Sequence, residues 1–357
     1  DELCERFDVD VEEDRLRAYR LVETIIEQGL QDESTFDFDD MIWLPVVKHL
    51  RVFKSNLLIV DEVQDLNACQ HAFIALAGQR IVVVGDDFQS INGFRGADVE
   101  SIPKLRTALA DFQQGSGELS LTTSWRLPKS HVTYVQNVVK DIQAAPNAIE
   151  GRIEDKSYTD MRKDVRPGDM VVCRTNAPLV SLAFWLIRNT KMPVKVQGRD
   201  IGANLIRLID SLVDTDNLTA FEVNLEAYYA MKQAKLLRKN TQKNQRALIA
   251  LRDTYGMLKE FLTNCGSVQG IKTEIRLLFA SPTETDSSRY VRLGSVHQVK
   301  GLEAERVWVY GPEQMPHPMA KSKEDRQQEL NIWYVAHSRS KRDMFLVSLP
   351  KPEQSDS

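Results

Sequence analysis

The sequence predicts an α/β protein built from two α/β units, the second interrupted by a helical insertion, and three observations lead there. The apolar runs LLIV at 57–60 and RIVVVGDD at 80–87 flank a helical pattern, ACQHAFIALAG. Unbroken apolar strands around a helix read as parallel strands buried on both faces. The arrangement returns in DMVVCRT, PLVSLAFWLIRNT and VKVQG, and from about 202 to 280 the pattern is almost purely helical.

Taken in order, DVEEDRLRAYRLVETIIEQGL at 10–30 has apolar positions at helical spacing and a stop signal at Gly29. FDFDDMIWLPVVKHL reads as a short helix interrupted near Pro45. The helix between the first two strands ends at Gly78. The turn-rich QSINGFRGAD leads into a helix at about 98–112, and QQGSGE at 113–118 reads as a linker. SLTTSWR predicts a strand entering a loop, and KSHVTYVQNVVKDI a helix. After the helical stretch, strand patterns return in YVRLGSV, RVWVYG and DMFLVSL, and the tail KPEQSDS reads as disordered. The best boundary lies near 115.

Composition narrows the class. At 42% hydrophobic and 27% charged the chain reads as globular, and no apolar run approaches the ~18 residues of a membrane span. The acidic start DELCERFDVD does not read as a signal peptide. Cys4, Cys69, Cys173 and Cys265 lack the paired spacing of a zinc site or a disulfide framework, which points to reduced thiols in an intracellular, cytoplasmic protein. A net charge of −5 weighs against coating nucleic acid through bulk charge, yet leaves room for a local basic groove.

The chemistry gathers at strand ends. In NLLIVDEVQDLN an apolar strand runs into Asp61 and Glu62, and the next strand also finishes in acids and an amide, VVVGDDFQS. Open α/β sheets bind ligands at the carboxyl ends of their strands. A carboxylate there can hold Mg²⁺, and a neighbour can orient or deprotonate a water. Two adjacent strands closing this way point to one phosphate-handling cleft.

These residues carry a resemblance. DEVQDLN followed by VVVGDDFQSINGFRGA is similar to motifs II and III of the UvrD/Rep/PcrA group of superfamily 1 DNA helicases. LTTSWRLP at 121–128 resembles motif IV, SVHQVKGLEAERVWV at 295–309 motif V, and QELNIWYVAHSRSKRDMFLV at 328–347 motif VI. FDFDDMI at 36–42 resembles the segment that precedes motif II. The likeness implies two RecA-like P-loop NTPase motor domains. The C-terminal part of the first would occupy 1–115, and the second 119–201 with 285–350. A reduced helical insertion would span 202–284, and 351–357 would be the tail.

It also implies roles. Asp61 would hold Mg²⁺, Glu62 would polarise the hydrolytic water, and Gln89 would sense the γ-phosphate. Arg126 and Arg339 would be arginine fingers, planar guanidiniums suited to charge spread over three oxygens. Trp125 stands where the family usually has Tyr and would stack on adenine; Gly301 and Glu303 in KGLE would meet the nucleotide. Phe94 replaces the usual motif III Trp as a base platform. Arg95, His297 and Lys300 would couple nucleotide state to DNA. The expected partners are single-stranded DNA and duplex junctions, and the cofactors ATP and Mg²⁺. VAHSRS departs from the usual VAxTRA, although Arg339 keeps its place.

One element is missing. Among the 17 glycines none opens a Gly-Lys-Ser or Gly-Lys-Thr, so the acids have arginine partners but no phosphate cradle. The sequence therefore predicts the motor part of an ATP-dependent helicase, separated from its phosphate loop and inactive alone. Rivals are a non-catalytic DNA-binding or scaffold module and the helicase part of a helicase–nuclease. The compact layout is similar to phage-type UvrD-like helicases. The run KLLRKNTQKNQRALIALR, free of acids, reads as a solvated helix face, or as a contact for DNA or a protein partner.

Overall fold

The computed structural model describes residues 15–91, 101–110, 117–213, 215–238, 242–279, 288–318, 320 and 323–350. The chain divides into two compact units, residues 1–120 and 121–357.

In the first unit, helices Arg15–Gln31 and Asp40–Val47 precede the strands. The break expected near Pro45 does not occur; the helix runs through it to Val47. A proline deprives the carbonyl four residues back of its donor, and here that carbonyl belongs to exposed Met41, within reach of water. β1 (Leu58–Val60) and β2 (Ile81–Val83) pair in parallel, with Leu58 opposite Ile81. The helix Ala68–Ala77 between them starts on a capping box, Asn67 and Gln70 each accepting the other's backbone N–H. The expectation that these strands are buried on both faces is corrected: Ile59 is 64% and Val82 47% exposed. Among the described residues this sheet has only two strands, so the alternate side chains of one face lack cover. The helix expected at about 98–112 is described over Ser101–Ala110.

The second unit is organised by one six-stranded sheet. A small ladder of β3 (Thr123–Ser124) and β4 (Gln143–Ala144) precedes it. Then come β5 (Arg152–Asp155), β6 (Met170–Cys173), β7 (Val194–Val196), β8 (Val291–Ser295), β9 (Ala304–Tyr310) and β10 (Ser340–Val347). Their order is β5-β10-β9-β6-β8-β7, and every pairing is parallel. Here burial on both faces does hold. Val171, Cys173, Leu293, Trp308, Tyr310, Phe345 and Val347 belong to one core cluster. The intervening Met170, Val172, Val307, Val309 and Met344 lie on the opposite face and are 0% exposed.

The predicted helical stretch becomes helices Arg199–Leu212, Leu218–Leu237, Gln242–Asn264 and Val268–Leu278. Leu205, Phe221, Phe261 and Ile275 from these helices join the sheet's own core cluster. The stretch is thus packed into the unit rather than carried as a separate body. It also caps a neighbour: Asp253 accepts the backbone N–H groups of Asn176 (2.8 Å) and Ala177 (2.7 Å) at the start of helix Ala177–Thr190. In the basic run, Lys235 and Arg238 are exposed, and 239–241 lie outside the described residues.

Two local expectations fail for lack of length. The helix predicted from Lys129 stops at Val135, where the chain turns and Gln136 donates to the Ile142 carbonyl. β4, β5 and the helix Tyr158–Asp164 are too short for periodicity to reveal. The connection from β8 to β9 is also short, the eight residues 296–303, half of them in the helix Val296–Val299. Among the described residues no helix is long and apolar enough to cross a membrane.

Candidate functional site

At the carboxyl ends of β1 and β2 a polar cluster forms within the first unit. Glu62 adopts the left-handed region (φ 54°, ψ 38°), uncommon for a side chain with a Cβ and found at functional sites. Its backbone N–H donates to Asp61 Oδ1 (2.9 Å), and its carboxylate accepts from Gln64 Nε2. Gln64 is buried, and its Oε1 accepts the Asp86 backbone N–H (3.1 Å), so one amide ties the two strand ends together. Asp86 in turn accepts Gln89 Nε2 (2.8 Å) and the Phe88 N–H (3.0 Å). Gly85 permits this approach: a Cβ there would stand 2.7 Å from both Gln64 Oε1 and Val63 Cγ2. Burial first, then the Asp86 charge, pushes the Asp87 carboxyl above its ordinary range. The structure thus brings predicted Asp61, Glu62 and Gln89 into one cluster and adds Gln64 and Asp86, which the motif reading passed over. The signal for Gln64 was an amide among three acids in DEVQD.

Asp61 and Asp86 offer carboxylate oxygens alone, the donor type of a hard cation such as Mg²⁺. Among the described residues no three His, Cys, Asp or Glu side chains could enclose a metal ion.

The second unit gathers its residues at the amino ends of β9 and β10, where Ala304 pairs with Ser340. Glu303 is gripped by Arg126 (Nε to Oε2 2.9 Å) and by Lys341. The Lys341 contact, with Arg126 and Arg339 behind it, holds the Glu303 carboxyl below its ordinary range despite partial burial. Lys341 was not foreseen, although it stands two residues past Arg339 at the same strand start. Arg126 keeps 41% of its side chain exposed, and Trp125 is 77% exposed with its indole open to a ligand. Gly301 makes its turn at φ 81°, which favours glycine.

Arg339, expected as an arginine finger, is 1% exposed. Its Nε donates to the Val335 carbonyl (2.8 Å), one terminal nitrogen to Ser338 Oγ (2.7 Å) and the other to the Leu302 carbonyl (3.5 Å). The physical reason is the end of helix Lys323–His337, whose last carbonyls need donors. Arg339 thereby ties that helix end to the segment carrying Glu303. His297 and Lys300 lie on the β8–β9 connection, both half-buried. Phe94 and Arg95 lie outside the described residues.

Beside Arg339, His337 is fully buried between stacked Trp333 (4.3 Å) and tilted Tyr134 (5.4 Å). Burial drives its imidazole from 6.5 down to about 4. As pH falls below 6.5 the unfolded chain takes this proton first. The stabilisation is complete above pH 6.5 and is lost between there and about pH 4. His337→Phe should remove roughly 3 kcal/mol of the acid destabilisation at full effect. Urea midpoints at pH 7 and pH 4.5 measure this; equal pH dependence in variant and wild type would refute it.

Residues 5–110 match the UvrD/REP helicase N-terminal domain, and residues 120–351 match the UvrD-like helicase C-terminal domain. PcrA of Staphylococcus aureus, an ATP-dependent DNA helicase, is 22% identical over 90% of this chain and 60% of its own length. A probable DNA helicase II homolog of Mycoplasma pneumoniae is 22% identical over 98% of the chain and 63% of its own length. DNA helicase II of Escherichia coli is 36% identical over 125 residues, 33% of the chain and 16% of that protein. The chain therefore spans less than two thirds of the length of these relatives. With both family domains matched in order across 5–351, the chain belongs to the UvrD-like helicase family.

Proposed function

We propose that this chain is the motor part of an ATP-dependent DNA helicase, translocating 3′ to 5′ along single-stranded DNA toward duplex junctions. Residues 1–115 would contribute to the first motor domain, and 119–201 with 285–350 would form the second. The packed helices of 202–284 would take the place of a larger accessory domain. The observation that carries this reading is the grip of Gln64 on Glu62 at the closed ends of β1 and β2. A carboxylate oriented by a buried amide suits the handling of a water's proton.

Asp61 is the ligand for Mg²⁺, which when bound offsets phosphate charge. Glu62 takes the proton of the attacking water. Gln89, tethered to Asp86, presents its amide to the terminal phosphate. Arg126 meets developing charge, and Arg339 acts as a positioning residue that fixes the segment ahead of Glu303. Trp125 stacks on adenine, and Glu303, next to the Gly301 turn, contacts the ribose. Phe94 stacks on bases, while Arg95, His297 and Lys300 relay nucleotide state to the strand.

No glycine in these 357 residues opens the Gly-Lys-Ser/Thr of a phosphate loop. The 357-residue chain alone should therefore hydrolyse ATP at background rate, with or without single-stranded DNA. A coupled steady-state assay that found DNA-stimulated turnover by this chain would overturn the proposal.

A further inference from the structure

At the amino ends of β6, β8, β9 and β10, the second unit holds a recess of about 450 Å³ lined by Arg166, Arg292, Arg306, Lys341 and Arg342. Its acids are Asp169, Glu303 and Glu305. Two of the three are engaged. Asp169 is 3% exposed and turned inward, accepting Trp308 Nε1 (2.8 Å) and the Arg166 backbone N–H (3.2 Å). Glu303 is held by Arg126 and Lys341. Glu305 is exposed at the rim.

The cations are less well matched. Arg306 is 4% exposed and pairs with Asp164 (3.0 Å), yet its Nε has no hydrogen-bond acceptor, the Asp169 carboxylate being 3.7 Å away. Arg292 is half-buried, and its Nε is sealed from water without an acceptor. Among the described residues neither Arg292 nor exposed Arg166 has a side-chain ion pair. Arg342 shares Asp343 (3.3 Å) with Arg152 (3.4 Å). Buried guanidinium N–H groups without acceptors are costly, and natural proteins retain few of them. Planar guanidinium forks lining a concave site match the oxygens of a phosphate group.

We propose that this recess binds a phosphate-bearing anion, with Arg292 and Arg166 as its principal contacts and Arg306 as the buried charge behind them. The anion is either a free oligophosphate or the phosphate of a nucleic-acid strand. In either case it would sit beside Lys341, and through Lys341 would compete with Glu303 for charge.

Titration of the 357-residue chain with pyrophosphate by calorimetry, without Mg²⁺, tests this. Wild type should bind saturably, and Arg292→Gln and Arg166→Gln should each weaken binding about tenfold or more, as loss of one charge-assisted contact implies. Arg166 is exposed, so its replacement leaves folding intact, and circular dichroism reports whether Arg292→Gln does the same. Displacement of pyrophosphate by single-stranded DNA in wild type would assign the site to strand phosphates; no displacement would assign it to free anions. Absent binding in wild type, or equal affinity in wild type and Arg166→Gln, would overturn the proposal.

Discussion

Replacing Glu62 by Gln, in a chain that carries a phosphate loop as well as these residues, should lower kcat for ATP hydrolysis about 10²–10⁴-fold. Nucleotide and DNA affinity should be kept. The change is local. Gln keeps the volume of Glu and can still accept from Gln64 Nε2, so the left-handed turn and the link to Asp86 persist. What disappears is a base able to take a proton. Steady-state turnover measured beside fluorescence titration of a labelled single strand separates the two effects. Turnover within a few-fold of wild type would remove Glu62 from the chemistry, and lost DNA binding would show that the change had spread beyond it.

The second large effect is on stability. Trp308→Ala should destabilise the chain by about 3–5 kcal/mol, the usual cost of emptying a buried aromatic site. Trp308 is 0% exposed in the interior strand β9, stacks on Phe345 at 4.2 Å, and donates its indole N–H to Asp169. Removing it leaves a cavity and strips the buried carboxylate of its shortest partner. Burial already holds the Asp169 carboxyl above its ordinary range. Trp308→Phe separates the two effects, keeping much of the packing while losing the hydrogen bond, and should cost about 1–3 kcal/mol. Urea unfolding followed by circular dichroism measures both. A loss below 1 kcal/mol for the alanine variant would mean that the sheet centre repacks freely.

What the sequence made legible follows from physical range. Apolar runs such as DMVVCRT and RVWVYG are buried on both faces of the six-stranded sheet, and that pattern is written in consecutive residues. The same pattern misled at Ile59 and Val82, because cover depends on neighbouring strands that a run cannot reveal. That the acids of DEVQDLN and GDDFQS gather in one polar cluster was legible from their place at two adjacent strand ends. Gln64 was harder: its role depends on Asp86, 22 residues on, which only folding brings near. Arg339 shows the opposite limit. A motif fixes which residue is present but not where its side chain turns, and the Val335 carbonyl at a helix end and the Leu302 carbonyl on the β8–β9 connection settled that. The core packing of Phe221 and Phe261 was likewise invisible, since helical periodicity does not say against what a face packs.

The short link from β8 to β9 has a mechanical consequence. Ser295 lies level with Tyr310 through β6, and Ala304 is six residues before Tyr310, about 20 Å away at roughly 3.3 Å per residue. Eight residues containing a turn of helix reach about that far and little farther. His297, just past the carboxyl end of β8, and Glu303, just ahead of β9, are thereby held at opposite rims of one sheet by a single connection.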